Sequence, residues 1–295
     1  MSATGRDGSV VLADGRTLEY WDGGDPGGRP MIYQPGTPVS RVFGRWGHEA
    51  AVDAGVRLIA LNRPGYGGST TSDGVPSLLS VGRDTAELAA ILGLDGFAVF
   101  GSSGGGPFAT ATAIAAPDAV RALGVVGGIG PWRLVDPPEA NREDRVCLAL
   151  LDEGDAKGCW ACLAVDVRRS QVSPTQAADN LLATDASPLA RDPAYRDLWI
   201  ENWAIVQENV DGYIADNIAW GGPWDVDPRD VVAPTLLLFG SVDAHCSAEV
   251  HGRWYADRIA GSELVVVPTE GHFDAIDGHW PEVLAGLLRI WRAPK

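Results

Sequence analysis

The chain has 295 residues, of which 45% are hydrophobic and 21% charged, enough apolar material for a substantial core and too much for a disordered or low-complexity chain. Its 39 acidic residues outweigh 23 basic ones for a formal net charge of −16, the wrong sign for a partner whose binding depends on neutralising phosphates, so nucleic acid is excluded. Residues 1–10 are polar and Gly-rich rather than basic and then apolar, and no run approaches the roughly 20 apolar residues of a membrane helix, so the expected location is the cytoplasm, with no membrane partner.

The first predicted element is a hairpin, Ser9–Ala13 and Thr17–Trp21, joined by Asp14-Gly15, a strong turn signal. Short apolar runs then alternate with helical periodicity. Met31–Gln34 reads as a strand, Trp46–Ala54 as a helix, Val56–Leu61 as a strand and Leu78–Leu92 as a helix stopped by Gly93. Gly96–Phe100 is a strand, Gly105–Ala116 a helix halted before Pro117, and Val120–Val126 a strand. From about Pro131 to Asp230 the patterns are helical with no convincing strand. The alternation resumes with the strand Thr235–Phe239, a helix over Ala248–Ile259, the strand Glu263–Val267 and a last helix over Pro281–Trp291. Such a rhythm predicts an α/β fold around a mostly parallel sheet buried on both faces. The economical division is one core, 1–130 with 231–295, interrupted by a helical insertion at 131–230.

The strand at Gly96–Phe100 runs directly into Gly101-Ser102-Ser103-Gly104-Gly105, and a helix follows. This is G-x-S-x-G in its required strand–turn–helix setting, where a tight turn lifts the serine hydroxyl above the sheet. Gly101 and Gly105 identify Ser103 as the nucleophile. A phosphate loop would need a lysine that is absent here, and a dinucleotide fingerprint fits poorly.

A nucleophilic serine needs a base, and the base needs an orienting acid, in the chain order Ser, acid, His. Asp243 follows the strand Thr235–Phe239, and His272 follows Glu263–Val267, so both fall just past strand carboxyl ends. His48 lies too early for this order, His251 falls within a predicted helix, and His279 precedes the last one. His245 shares the loop of Asp243 and is a candidate pocket residue. Asp274 and Asp277 stand too close to His272 in sequence to serve as its partner. For the developing oxyanion, the backbone N–H of Gly104 and that of Thr37, in Gln34-Pro35-Gly36-Thr37-Pro38, are the candidate donors.

Cys147, Cys159, Cys162 and Cys246 are too few for a disulfide framework. Cys159 and Cys162 form a C-x-x-C without further ligands nearby, and they read as small buried hydrophobes rather than a metal or redox site.

Taken in order, Pro35-Gly36-Thr37-Pro38, Asn62-Arg63-Pro64-Gly65-Tyr66-Gly67, Gly101-Ser102-Ser103-Gly104-Gly105, Gly240-Ser241-Val242-Asp243 and Gly271-His272 resemble the landmarks of the α/β-hydrolase superfamily over nearly the whole chain. Two departures stand out. Pro35 replaces the usual histidine of the first landmark, and Asn62 stands where aspartate is commoner. The resemblance implies an α/β-hydrolase fold with helices on both faces of the sheet. It also implies that 131–230 is a helical cap, and that the activity is cofactor-free, metal-free hydrolysis of an ester or lactone of a small apolar molecule through an acyl-enzyme. Carbon–carbon or amide hydrolysis, cyclisation, acyl transfer and non-catalytic ligand binding are the alternatives on the same framework. Six of the 11 tryptophans lie in the insertion: Trp132, Trp160, Trp199, Trp203, Trp220 and Trp224. Trp199 and Trp203, four apart, share a helix face. Trp132, Trp199, Trp203 and Trp220 are candidates for lining a substrate pocket.

Overall fold

In a computed structural model the structure describes residues 5–134, 142–184 and 187–291. Eight strands form one sheet: β1 (Arg6–Val11), β2 (Thr17–Gly24), β3 (Arg29–Gln34), β4 (Val56–Leu61), β5 (Phe97–Ser102), β6 (Val120–Val126), β7 (Thr235–Gly240) and β8 (Glu263–Val267). Their order across the sheet is β1-β2-β4-β3-β5-β6-β7-β8. β2 runs antiparallel to both of its neighbours, and every other pairing is parallel. The architecture is the α/β-hydrolase fold that the resemblance implied.

The parallel strands are apolar almost throughout because both of their faces are covered. Every residue of β5 and β7 is buried. Alternation sends Met31, Tyr33, Leu58 and Phe100 to one face, and Ile32, Ile59, Leu61 and Val99 to the other. The core helices are α1 (His48–Asp53), α2 (Leu78–Ile91), α3 (Gly105–Ala115) and three more after the insertion. α3 is buried along nearly its whole length and has no polar face. The hydroxyls of its Thr110 and Thr112 donate back to the carbonyls of Gly106 and Phe108, which lets them sit in the core.

Between β6 and β7 come α4 (Arg142–Asp152), α5 (Ala156–Ser170), α6 (Pro174–Leu182), α7 (Pro193–Glu208) and α8 (Asp211–Gly221), with no strand among the described residues. Their starts are chemically marked. The side chains of Asp155, Ser173 and Asp192 accept backbone N–H groups at the first turns of α5, α6 and α7, and Pro174 and Pro193 occupy first-turn positions. No helix among the described residues is long and apolar enough to cross a membrane.

Two helices depart from expectation. The predicted helix over Ala248–Ile259 opens as a π-helical turn, Ala248–Gly252, and continues only through α9 (Arg253–Ala256). The wider turn holds His251 inward, with its Nδ1 accepting the Gly130 N–H at 2.9 Å. A short helix that periodicity did not reveal, α10 (His272–Asp277), begins at the expected histidine itself, and α11 (Trp280–Ile290) follows.

Candidate active site

The turn between β5 and α3 is made possible by its glycines. A Cβ on Gly101 would lie 2.2 Å from the carbonyl oxygen of Gly105, and one on Gly105 would lie 2.1 Å from that of Gln34. Ser103 between them adopts φ of 49°, a left-handed conformation that costs free energy in a residue with a side chain. Its backbone is nevertheless fully tied. The N–H donates to Val126 at 3.0 Å, and the carbonyl accepts from Gly106 and Ile129, both at 3.0 Å.

The structure brings the three expected side chains together. His272 Nε2 lies 3.0 Å from Ser103 Oγ, and His272 Nδ1 lies 2.7 Å from Asp243 Oδ2. Asp243 Oδ1 accepts the N–H groups of His245 and Cys246, each at 2.8 Å. Burial works to raise the Asp243 carboxyl. The hydrogen bond and charge of His272 and the two backbone N–H groups outweigh it, so the group is held below the usual carboxylate range. His272 has its Asp243 side closed and its Ser103 side facing a cavity of about 500 Å³.

Gly36, Thr37 and Gly104 line that cavity beside Ser103. Gly104 packs so closely on Thr37 that an added Cβ would lie 2.5 Å from its hydroxyl oxygen. Among the described residues neither the Thr37 nor the Gly104 backbone N–H donates to another residue. That leaves two donors next to a serine hydroxyl. The Thr37 loop is braced by Arg63, which is 1% exposed: its guanidinium donates to the carbonyls of Pro35 at 2.5 Å and Gly36 at 2.8 Å. Arg63 also pairs with both oxygens of Asp216, on α8, at 2.9 and 2.5 Å. The Thr37 and Tyr66 hydroxyls complete the ring around Asp216, at 2.7 and 2.8 Å.

All five expected pocket residues line the cavity. His245 sits 5.2 Å from the His272 ring, and Trp132, Trp199, Trp203 and Trp220 come from the inserted segment. The tryptophans belong to two aromatic groups. Trp132 stacks at a tilt on Trp220, 5.4 Å between centroids, while Trp199 contacts Phe43 at 4.6 Å and Phe273 at 5.8 Å. Trp160 and Trp224 pack elsewhere, the first, itself on α5, in a cluster with Cys147 of α4 and Ile214 and Ile218 of α8, the second against Trp254.

The remaining sequence expectations resolve into structural roles. Asn62 accepts the Arg41 N–H and donates to Glu19, and His48 accepts the Gly24 N–H. Asp274 is paired with the Ser187 hydroxyl. Cys147 and Cys159 are buried free thiols and Cys162 is half-buried; burial first, then the neighbouring sulfurs, push the Cys147 thiol above its ordinary value. No group of three or more His, Cys, Asp or Glu among the described residues is arranged to hold a metal ion.

Sequence reasoning missed five polar contributors to the cavity: Tyr33, Ser102, Cys246, His251 and Asp277. The Cys246 thiol lies beside Ser103 and is pushed well up by burial and by the charge of Asp243. His251, assigned only to a helix, is pushed down by burial. Phe273, Ile276 and Asp277 line the cavity together because they stand at helical spacings of three and four on α10. A helix recognised at His272 would have exposed that set.

The α/β-hydrolase-fold family model matches residues 29–157. A non-heme chloroperoxidase of Streptomyces lividans is 31% identical over 127 residues, a stretch that covers 42% of this chain and 45% of that protein, so less than half of either length is matched. Among solved structures, a thermophilic esterase from Thermogutta terrifontis aligns with a TM-score of 0.71 at 22% identity, covering 96% of this chain and 98% of that one. The enol-lactonase from Burkholderia xenovorans aligns with a TM-score of 0.69 at 17% identity, covering 96% and 100%. These similarities extend the fold over essentially the whole chain.

Proposed function

We propose that this chain, which has the α/β-hydrolase fold and matches that fold's family model over residues 29–157, is a serine hydrolase cleaving the ester or lactone of a small, largely apolar molecule through an acyl-enzyme. The observation that carries this reading is the relay Ser103–His272–Asp243, with contacts of 3.0 and 2.7 Å, opening on a cavity that four tryptophans help to line.

His272 Nε2 takes the hydroxyl proton as Ser103 Oγ bonds to the substrate carbonyl carbon. Asp243 fixes the tautomer with Nδ1 protonated and stabilises the imidazolium. The carbonyl electron pair moves onto its oxygen, which the N–H groups of Thr37 and Gly104 hold; each such donor is worth roughly 3 kcal/mol in comparable sites. Collapse breaks the carbon–oxygen bond, and His272 returns the proton to the departing alcohol. Water, deprotonated by the same imidazole, then releases the acid and restores Ser103. The inserted helices act as a cap, since Leu181, Trp199, Trp203 and Trp220 supply one side of the cavity.

A fluorophosphonate probe tests the nucleophile. Covalent labelling at Ser103, lost in Ser103→Ala, together with turnover of short p-nitrophenyl esters, is the expected result. Absence of labelling on folded protein overturns the reading and favours a ligand-binding role for the cavity.

A further inference from the structure

His251 is an imidazole in the cavity wall that the hydrolytic relay does not use. The π-helical turn Ala248–Gly252 carries it, and its partner Gly130 follows Ile129, which packs with Trp132 and Trp220. The two ring nitrogens are placed differently. Nδ1 accepts the Gly130 N–H at 2.9 Å. A backbone N–H can only donate, so Nδ1 keeps its lone pair and Nε2 carries the hydrogen. Nε2 makes no hydrogen bond among the described residues, and it is not one of the unpartnered polar atoms sealed inside the protein. It is therefore an accessible N–H on a residue that lines the cavity. Protonating the ring would set a second N–H against that of Gly130, so the ring stays uncharged. Burial likewise pushes the group below its ordinary value, with the charge of Asp243 opposing and His272 assisting. The tautomer is the reverse of the one the relay gives His272.

We propose that His251 donates from Nε2 to an uncharged oxygen of the substrate other than the scissile carbonyl oxygen, so that the ester or lactone cleaved here carries a second acceptor, a keto or ether oxygen. This deepens the hydrolase reading and rests on it. The scissile carbonyl has its own donors in the N–H groups of Thr37 and Gly104. Ile129, Trp132 and Trp220 line the same cavity and offer this N–H no acceptor through their side chains. A substrate that is plain hydrocarbon at this point would strip the N–H of solvent and leave it unmatched, whereas one with an oxygen there restores the bond. A carboxylate is a poor occupant. No Lys or Arg lines the cavity among the described residues, Asp277 stands in its wall, and the net charge of −16 repels anions.

Two ester series test this by moving one keto oxygen along the chain. p-Nitrophenyl heptanoate is compared with its 4-, 5- and 6-oxo derivatives, and hexyl acetate with its 3-, 4- and 5-oxo derivatives, so that the acyl and alcohol sides are both covered. In the wild type at least one oxo ester should exceed its parent in kcat/KM by about fivefold or more. Two variants separate the two ring nitrogens. His251→Asn offers an amide oxygen where Nδ1 accepts from Gly130 but nothing in place of Nε2. It should lose the preference while melting close to the wild type. His251→Gln extends an amide nitrogen toward the place of Nε2, and it should keep the preference while melting lower. A wild type in which no oxo ester gains over its parent overturns the proposal. So does a preference that survives His251→Asn or vanishes in His251→Gln, since either would assign the ring only to holding Gly130. Should His251→Asn fail to fold, the wild-type and His251→Gln ratios decide. Binding of methyl heptanoate and its oxo derivatives, read by tryptophan fluorescence, needs no turnover, so failure of the hydrolase reading would be seen separately; active enzyme without the oxo preference refutes this inference alone.

Discussion

Replacing Asp216 with alanine tests what joins the inserted helices to the core. Asp216, on α8, receives both arms of the Arg63 fork and the hydroxyls of Thr37 and Tyr66, all within 2.5–2.9 Å. Arg63 is 1% exposed, and although burial disfavours its charge, Asp216 keeps it protonated. Without the carboxylate a guanidinium is stranded in the interior with two backbone carbonyls, Pro35 and Gly36, as its chief remaining acceptors. Breaking such a buried pair costs roughly 3–5 kcal/mol, a large share of the 5–15 kcal/mol typical of a whole domain. At about 2–4 °C per kcal/mol for a chain somewhat smaller than this one, the melting temperature should drop by about 6–20 °C. The double variant Arg63→Met with Asp216→Leu removes both charges, so it should be less destabilised than the sum of its single variants by at least about 1.5 kcal/mol. Urea unfolding followed by tryptophan fluorescence reads all of these. A loss below about 1 kcal/mol for Asp216→Ala, or strict additivity in the double variant, would show that the pair is not the connection described here.

Three other outcomes are expected. Ser103→Ala should lower esterase kcat by more than about 10³-fold while leaving the melting temperature within a few degrees; residual turnover above that level would point to another nucleophile. Asp277 should make stability fall as pH rises: its folded value of about 6 lies above the usual aspartate value near 3.9, so the folded chain holds the proton more tightly, and ionisation between those values costs roughly 3 kcal/mol. Asp277→Asn should accordingly be more stable relative to wild type at about pH 8 than at about pH 4.5, by roughly 2–3 kcal/mol; an equal difference at both pH values would contradict the assignment. Gly105→Ala, whose Cβ would meet backbone oxygens at 2.1 and 2.4 Å, should be destabilised by at least about 1–3 kcal/mol, whereas Gly74→Ala, with open space around it, should stay within about 0.5 kcal/mol in thermal melts.

The sequence made the sheet readable because buried parallel strands leave continuous apolar runs, as in Thr235–Phe239, and the glycine pair around Ser103 marks a turn that few other structures require. Asp243 and His272 were legible for a related reason, since each stands a fixed short distance beyond a strand. The cavity wall was only half legible. Tryptophans in the insertion announce themselves by size. Asp277, His251 and Cys246 are ordinary residue types whose position depends on how α10 and the π-helical turn lie against the sheet. The π-helical turn itself is invisible to a 3.6-residue period. Arg63 and Asp216 are 153 residues apart, and no local pattern signals a pairing across that distance.

The side chain of Asn202 on α7 takes hold of the chain beside the nucleophile from above: its amide oxygen accepts the Ser40 N–H at 2.7 Å and its amide nitrogen donates to the Pro38 carbonyl at 3.1 Å. One residue of the inserted helices thus imitates a neighbouring strand. The inserted helices are consequently not an independent module that could be exchanged for another. A chimera that imports foreign helices would have to bring along matching versions of the segment around positions 36–41, or else leave two main-chain groups of the Thr37 loop without partners.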